Sequence, residues 1–284
     1  MSEVKRVILS GIDGSSVSKA VCDYSAWMAK KMNLSLKLLH TIDSRRNPAV
    51  SDFSGAIGLG SRRELLDELA ETEQKEGRLL IEQGKEVLQS AKNHLIGQGV
   101  EPSELIQRHG ALSEALIDLE HEIGTLVLGI HGQDYDRRQK GIGTQLESII
   151  RSIRRPILVV NKEFSEPKKV MLAYDGSESC KKALHLIISN VAFKDIPCHV
   201  VHVGSNGEAL LQEATKALSD AGIQSSSQQL QGKIEEVLSE YQVSQDIDVM
   251  LMGAFSHNRI RGFLMGSFTA KMLENTNRPL FLLR

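Results

Sequence analysis

The sequence predicts an α/β fold built from two doubly wound, five-stranded parallel sheets, one in each half of the chain. Three observations carry that expectation. Short, continuously apolar, β-branched runs alternate with amphipathic helical stretches, the pattern of strands covered by helices on both faces. The runs fall into two sets whose starts match at a constant offset: Ile12-Asp13-Gly14-Ser15 answers Tyr174-Asp175-Gly176-Ser177, and His40 answers His202. The two sets also end alike, with Arg155-Pro156 before Ile157-Leu158-Val159-Val160 and Arg278-Pro279 before Leu280-Phe281-Leu282-Leu283. A domain has therefore been duplicated, at a period far longer than that of a solenoid.

Size and composition agree. The chain has 284 residues, enough for two ordinary domains, drawn here at 1–163 and 167–284. Hydrophobic residues make up 41% and charged residues 25%, so an ample core is expected. A formal net charge of -2 gives no reason to expect nucleic acid as a partner. Cys22, Cys180 and Cys198 form no Cys-x-x-Cys pair and suit buried thiols in a reducing, cytoplasmic setting. No signal peptide is read at the start, and no apolar run approaches the length of a membrane span.

Taken in order, residues 7–12 are a buried parallel strand, Asp13-Gly14-Ser15 a turn, and Ala20, Tyr24, Trp27, Met28 and Lys31 mark one face of the first helix, which Asn33 ends. A second strand covers 35–41. Residues 43–60 are polar and glycine-rich, with no Gly-x-Gly-x-x-Gly spacing, and are expected to be a mobile loop or lid. Residues 61–96 form a long charged amphipathic helix with a potential break at Gly77 or Gly84, its apolar side marked by Leu65, Leu66, Leu69, Leu79, Leu80, Val87 and Leu88. The segment 43–96 is read as an insertion in the first half. A strand at 105–109, a helix at 113–123, a strand at 125–129, a helix at 145–153 and a last strand at 157–160 follow. Residues 161–168 are the linker. The second half repeats the pattern more compactly, with a helix at 207–220, a strand near 226–230 and a helix at 234–241. Gly232, Glu236 and Leu238 echo Gly110, Glu114 and Leu116. This is a Rossmann-like arrangement with expected strand order 3-2-1-4-5 in each half. The edge strands 156–160 and 279–283 are expected to cover each other across a pseudo-twofold axis as an intrachain dimer.

Ligands of such sheets bind at the carboxyl ends of the strands. In the second half, Val249 to Gly253 is a strand stopping on a glycine, a basic loop with Ser256, His257, Asn258, Arg259 and Arg261 follows, and Gly266-Ser267 opens an apolar helix at Phe268. Glycine lets the backbone approach closely, and the free N–H groups of a helix start favour an anion. The first half repeats this with Gly129, Gly132 and Gly143-Thr144. The same residues also suit an ordinary strand-to-helix turn with an N-cap serine, and Asp13 and Asp175 suit turn aspartates.

These motifs resemble a tandem universal stress protein of the UspA family, whose ATP-binding members share Gly-x2-Gly-x9-Gly-Ser/Thr. The second half reads Gly253, Ser256, Gly266, Ser267, with correct spacing and a serine at the second glycine. The first half reads Gly129, Gly132, Gly143, Thr144, with both early glycines and a gap one residue too long. The resemblance implies ATP or another adenine nucleotide over the strand ends, with Mg as an optional companion. It implies Asp175 and Gly176 on the ribose side, Val203 against adenine, and Gly253, Ser256, Gly266, Ser267 and Phe268 around ribose and phosphates. In the first half Asp13, Gly129, Gly132, Gly143 and Thr144 take the corresponding places. The second site is expected to bind better, because a shifted helix start moves several N–H groups at once.

Other chemistries find little support. Ser10-Gly11-Ile12-Asp13-Gly14-Ser15 departs from the Ser-Gly-Gly-x-Asp-Ser loop of ATP pyrophosphatases. There is no Gly-x4-Gly-Lys-Ser/Thr loop and no Gly-x-Ser-x-Gly elbow. His199 and His202 lie three apart on a strand and face opposite sides. His40 and His202 read as structural. The expectation is a nucleotide-binding regulatory protein without a dedicated catalytic site, with unidentified protein partners and homodimerisation open. The alternatives are an interaction scaffold that binds no nucleotide, or a slow ATP hydrolase.

Overall fold

The computed structural model describes residues 6–42, 61–132, 144–254 and 267–284. Strands and helices alternate: β1 (Val7–Gly11), α1 (Ser18–Met32), β2 (Leu36–Ile42), α2 (Ser61–Gly97), β3 (Glu104–His109), α3 (Leu112–Leu119), β4 (Ile123–Gly129), α4 (Thr144–Ser152) and β5 (Ile157–Val160). The second half continues with β6 (Val170–Ala173), α5 (Glu178–Ser189), a 3-10 turn (Val191–Phe193), β7 (Cys198–Val203), α6 (Glu208–Asp220), β8 (Ser225–Leu230), α7 (Ile234–Ser244), β9 (Val249–Gly253), α8 (Ser267–Asn275) and β10 (Leu280–Leu283).

The strands form a continuous sheet in the order β3-β2-β1-β4-β5-β10-β9-β6-β7-β8. Each half thus has the order 3-2-1-4-5. Neighbours are parallel except β5 and β10, which pair antiparallel with Leu280 opposite Val159 and Leu282 opposite Ile157. The two edge strands cover each other as their exposed pairing groups require.

Side chains alternate across the strands and so build a core on each face. One face holds Ile8, Leu38, Val127, Leu172 and Val200 under α1, α2, α5 and α6. The other holds Leu9, Leu39, Leu126, Met171 and Val201 under α3, α4, α7 and α8. Each buried Leu or Ile contributes about 1.5–3 kcal/mol of transfer free energy, which is why the central strands need no polar face.

The helix boundaries follow local chemistry. Asn33 closes α1 in the left-handed region at φ 50°, its amide reaching the carbonyls of Ala29 and Lys30. Lys31 is exposed and pairs with Glu166 at 3.2 Å, so it is not part of the buried face. The helix expected over 113–123 stops at Leu119, because Ile123 already pairs with Val7 in the sheet. No break interrupts α2 at Gly77 or Gly84. Leu79 is exposed there, while Leu88, Ala91 and Leu95 are buried.

The last turns of α2 have counterparts in α6. Gly84, Leu88, Ala91, Leu95 and Gly99 face the same surroundings as Gly207, Leu211, Ala214, Leu218 and Gly222, with Gly99 and Gly222 at φ 76° and 74°. The stretch without a partner in the second half therefore narrows to residues 43–83. Residues 43–60, expected to be a lid, lie outside the described residues. The linker is pinned: the amides of Lys168 and Lys169 donate to Asp248 Oδ2, and Phe164 meets Tyr24 edge-on at 4.8 Å.

Candidate functional site

The carboxyl ends of β1 and β6 carry the same turn. Asp13 Oδ1 accepts the Ser15 amide and the Ser18 hydroxyl, each at 2.9 Å. Asp175 Oδ1 accepts the Ser177 amide at 2.9 Å. Ser177 Oγ in turn accepts the Cys180 amide at 3.3 Å and caps α5. Gly14 and Gly176 stand at φ 80° and 76°, a conformation that glycine adopts without strain. Both aspartates therefore hold their own turns, whatever else they meet. Ser10, which the pyrophosphatase comparison would need at the site, is buried and donates to Ser25 Oγ at 2.6 Å.

Behind each turn stands a histidine. His40 Nδ1 is 2.7 Å from the Ile12 carbonyl, and His202 Nδ1 is 2.9 Å from the Tyr174 carbonyl. A carbonyl only accepts, so each Nδ1 carries the proton. The histidines thus fix the residue just before each aspartate. His40 lies opposite Gln107 and His202 opposite Gln229 across neighbouring strands. Gln229 and Gln231 donate their side-chain amides to the Gly204 carbonyl at 2.7 and 2.9 Å, which anchors the connection leaving Val203. Val203 itself is half-buried against the core. Sequence reasoning placed the histidines in a structural role but missed these glutamines. Their signal was the matched His–Gln positions, legible only once β3 and β8 are in register.

The ends of β4 and β9 lie beside these turns because β4 pairs with β1 and β9 with β6. A Cβ on Gly132 would stand 3.2 Å from Asp13 Oδ2, so this glycine and the aspartate converge as expected. Gly129 would tolerate a Cβ at ordinary contact distances, 3.4 Å from the His131 carbonyl and 3.5 Å from Val17 Cβ. Gly253 would not: a Cβ there would overlap Ser179 Oγ and lie 2.9 Å from Ser179 Cβ and 3.2 Å from the Cys180 amide. Packing of α5 across the strand end therefore already requires glycine at 253. Ser179 Oγ is also 3.2 Å from Ser177 Oγ, linking Gly253 to the Asp175 turn through two serines.

Thr144 and Ser267 are the first residues of α4 and α8. The two helix starts differ in charge. The first turn of α4 contains Glu147, which pairs with Arg151 at 2.8 Å, whereas the first turn of α8 contains no acidic residue. Phe268 is half-buried and packs against the core. Gly143, Ser256, His257, Asn258, Arg259, Arg261 and Gly266 lie outside the described residues. Burial pulls the His131 imidazole below its ordinary pKa. Among the described residues no group of three or more metal-ligating side chains occurs. No described helix is long and apolar enough to cross a membrane.

Comparison with known proteins agrees with this geometry. The universal stress protein family matches residues 5–161 and 204–284. A universal stress protein of Synechocystis sp. is 37% identical over 284 residues, covering 98% of this chain and 99% of that one. The crystal structure of a universal stress protein from Archaeoglobus fulgidus superposes with a TM-score of 0.73 at 17% identity, covering 99% of this chain and 96% of that one. A structure from Pseudomonas aeruginosa PAO1, described as functionally unknown, gives a TM-score of 0.61 at 15% identity over 99% of this chain and 92% of that one. Two copies of one strand order, paired through their last strands and marked by matched Asp-Gly-Ser turns, meet a family match over both halves: the chain belongs to the universal stress protein family.

Proposed function

We propose that this protein binds an adenine nucleotide, ATP or a relative of it, over the carboxyl ends of its strands, and acts as a regulatory protein of the stress response rather than as a dedicated enzyme. The observation that carries the reading is convergence: the Asp-Gly-Ser turns and the strand-end glycines, distant in sequence, meet at one end of adjacent strands. That is where ligands of open parallel sheets lie. Asp175, Gly176 and Val203 would meet ribose and adenine, and Gly253, Ser256, Gly266, Ser267 and Phe268 would surround the phosphates. Asp13, Gly129, Gly132, Gly143 and Thr144 would form a second, weaker site.

Two arguments favour the second half. Its spacing from Gly253 to Gly266 keeps the family pattern. The first turn of α8 also carries no acidic residue to compete with an anion for the partial positive charge of its start, whereas that of α4 carries Glu147, paired there with Arg151. Mg would sit against the phosphates rather than in a protein cage. The division into domains 1–163 and 167–284 and a cytoplasmic setting belong to the same reading, the latter supported by three buried free cysteines.

The test is an ATP titration of the purified protein and of two variants, with mass spectrometry of nucleotide carried through purification. Gly266→Val should remove most of the binding and Gly143→Val should leave it. The reverse pattern assigns the nucleotide to the first half. Absence of binding in the parent protein favours the interaction scaffold, and steady release of phosphate from added ATP favours the slow hydrolase.

A further inference from the structure

The two ends of the β5/β10 pair are clasped in a crossed manner. Asn161, the residue after β5, donates its side-chain amide to the carbonyls of Thr276 at 2.8 Å and Arg278 at 3.0 Å. Those carbonyls follow α8 in the other half, and the Thr276 amide continues that helix by donating to the Met272 carbonyl at 3.0 Å. Thr276 is further fixed by its hydroxyl, which donates to Gln242 Oε1 of α7 at 2.9 Å. Arg284, the residue after β10, reaches in the opposite direction: its guanidinium donates to the Arg151 carbonyl in the last turn of α4. Lys182 of α5 holds Arg284 in turn, donating to its carbonyl at 2.7 Å. Each half therefore grips the far end of the helix whose start is the proposed phosphate site of the other half.

A nine-residue helix moves as a rigid rod about 14 Å long, so a shift at its start is felt at its end. The Asn161 and Arg284 bonds run between halves, and each ends on backbone carbonyls rather than on mobile side chains. We propose that these clasps couple the two nucleotide sites, so that an anion drawn onto the start of α8 is registered in the first half through Asn161, and one at α4 in the second half through Arg284. The inference rests on the nucleotide-binding reading above and adds its regulation. The coupling is reciprocal by thermodynamic necessity, and a typical coupling changes affinity at least about fivefold.

Hydrogen–deuterium exchange on the full chain tests it with ATP as the probe. The background is Gly143→Val, so that protection in the first half cannot come from nucleotide bound there. ATP should slow exchange in α8 and also, several-fold, in the linker amides 161–166. Adding Asn161→Leu, which keeps the branched heavy-atom skeleton but removes both bonds, should abolish the slowing in the linker and retain it in α8. If Gly143→Val itself removes binding, Gly266→Val with Arg284→Met takes its place, read in α4 and residues 282–284. ATP binding without any protection across the halves, or protection that survives loss of the clasp, overturns the coupling alone. A parent protein that binds no ATP overturns the nucleotide reading and the coupling with it.

Discussion

His202 donates Nδ1–H to the carbonyl of Tyr174 at 2.9 Å, and the ring that makes this bond fills the space where Gly207 would otherwise carry a side chain. A Cβ on Gly207 would overlap His202 Cδ2 and stand 2.6 Å from Cγ. The first half repeats the pair: a Cβ on Gly84 would stand 2.7 Å from His40 Cδ2 and overlap the amide of Gln107. Gly84 lies inside α2, where alanine is intrinsically favoured by about 1 kcal/mol. Overpacking against a hydrogen-bonded ring costs about 1–3 kcal/mol, so the clash should win. Gly84→Ala and Gly207→Ala are expected to destabilise the protein. Gly77→Ala, with nothing within 4 Å of its Cβ, should stabilise it by up to about 1 kcal/mol. Urea midpoints of the three variants check this, and a stabilising Gly84→Ala would show that the His40 ring is not held.

Removing the histidines should act through the orphaned carbonyls. His202→Leu leaves the Tyr174 carbonyl without its donor, and His40→Leu does the same to Ile12. Each should cost about 1–3 kcal/mol. If the nucleotide reading holds, ATP affinity should also fall, because the carbonyl concerned directly precedes the turn aspartate. A stability loss without a change in affinity would assign the histidines to folding alone.

Gly253 and Ser179 offer a separation of packing from ligand contact. Gly253→Ala should cost about 1–3 kcal/mol by pushing the first turn of α5 off the strand end. Ser179→Gly in the same chain removes both atoms in the way and should restore most of the loss. Gly129→Ala, with only ordinary contacts, should cost less than Gly253→Ala. Thermal melts of the four proteins decide; failure of Ser179→Gly to rescue would mean that something other than α5 demands glycine at 253.

The amino ends of the strands carry a pH-dependent ion cluster. Lys37 Nζ lies 2.6 Å from Glu122 Oε2 and 2.7 Å from Glu104 Oε2. The hydrogen bond from Lys37 holds the Glu122 carboxyl below its usual range. Hydrogen bonds to Glu104 and then Glu122 raise the Lys37 ammonium above its own. For Glu122 the stabilisation is present above the unfolded carboxylate value of about 4.3 and is lost as pH falls through the lower folded value. For Lys37 it is present below about 10.4 and lost as pH rises through the higher folded value. The pair is partly solvated, so its contribution is about 1 kcal/mol or less. Urea denaturation should therefore show a smaller stability loss between pH 5 and 3 for Glu122→Gln than for the parent.

Much of the fold was legible because its signals are local or repeated. The Val249 to Gly253 run, the Asp13 and Asp175 turns and the Pro156 and Pro279 strand starts predicted the sheet and its central pairing without any three-dimensional information. What escaped depends on contacts across the chain. Gly84 reads as a helix break by propensity, yet α2 runs through it, since packing of Leu88, Ala91 and Leu95 outweighs about 1 kcal/mol of propensity. Its actual reason, the His40 ring, lies on another element. At Gly253, too, a contact across the chain adds a demand that the sequence does not display: Ser179 from α5 leaves no room for a Cβ. Leu79 sits on the apolar stripe of α2 but is exposed, whereas Leu88, Ala91 and Leu95 on the turns that follow are buried in the core with α1 and β2.

The final prediction concerns how firmly the halves are joined. The chain has one tryptophan, Trp27 in α1, buried to 7% exposure. Its ring meets Phe193 of the 3-10 turn edge-on, centroids 6.3 Å apart, and Phe193 meets Phe281 of β10 at 5.8 Å. Trp27 belongs to the first half and both phenylalanines to the second, so Trp27 emission reports contact between them. β5 and β10 contribute only four residues each to their pairing, so the aromatic cluster on one face and the core shared by Ile157, Val159, Leu280 and Leu282 on the other supply the apolar fastening. Phe193→Ala should cost about 3–5 kcal/mol through the lost transfer energy and the cavity, and it acts where Trp27 of the first half meets the second, while the opposite face keeps one core that runs across both halves. In the parent, Trp27 emission and far-ultraviolet circular dichroism should change together in urea. In Phe193→Ala the emission should shift red at lower urea than the main loss of helical signal, as the halves part before either unfolds. Phe193→Leu, which fills most of the space, should fall between. Coincident transitions in Phe193→Ala, displaced to lower urea as one, would instead mean that the ten-stranded sheet unfolds as a single cooperative unit and that neither half persists without the other.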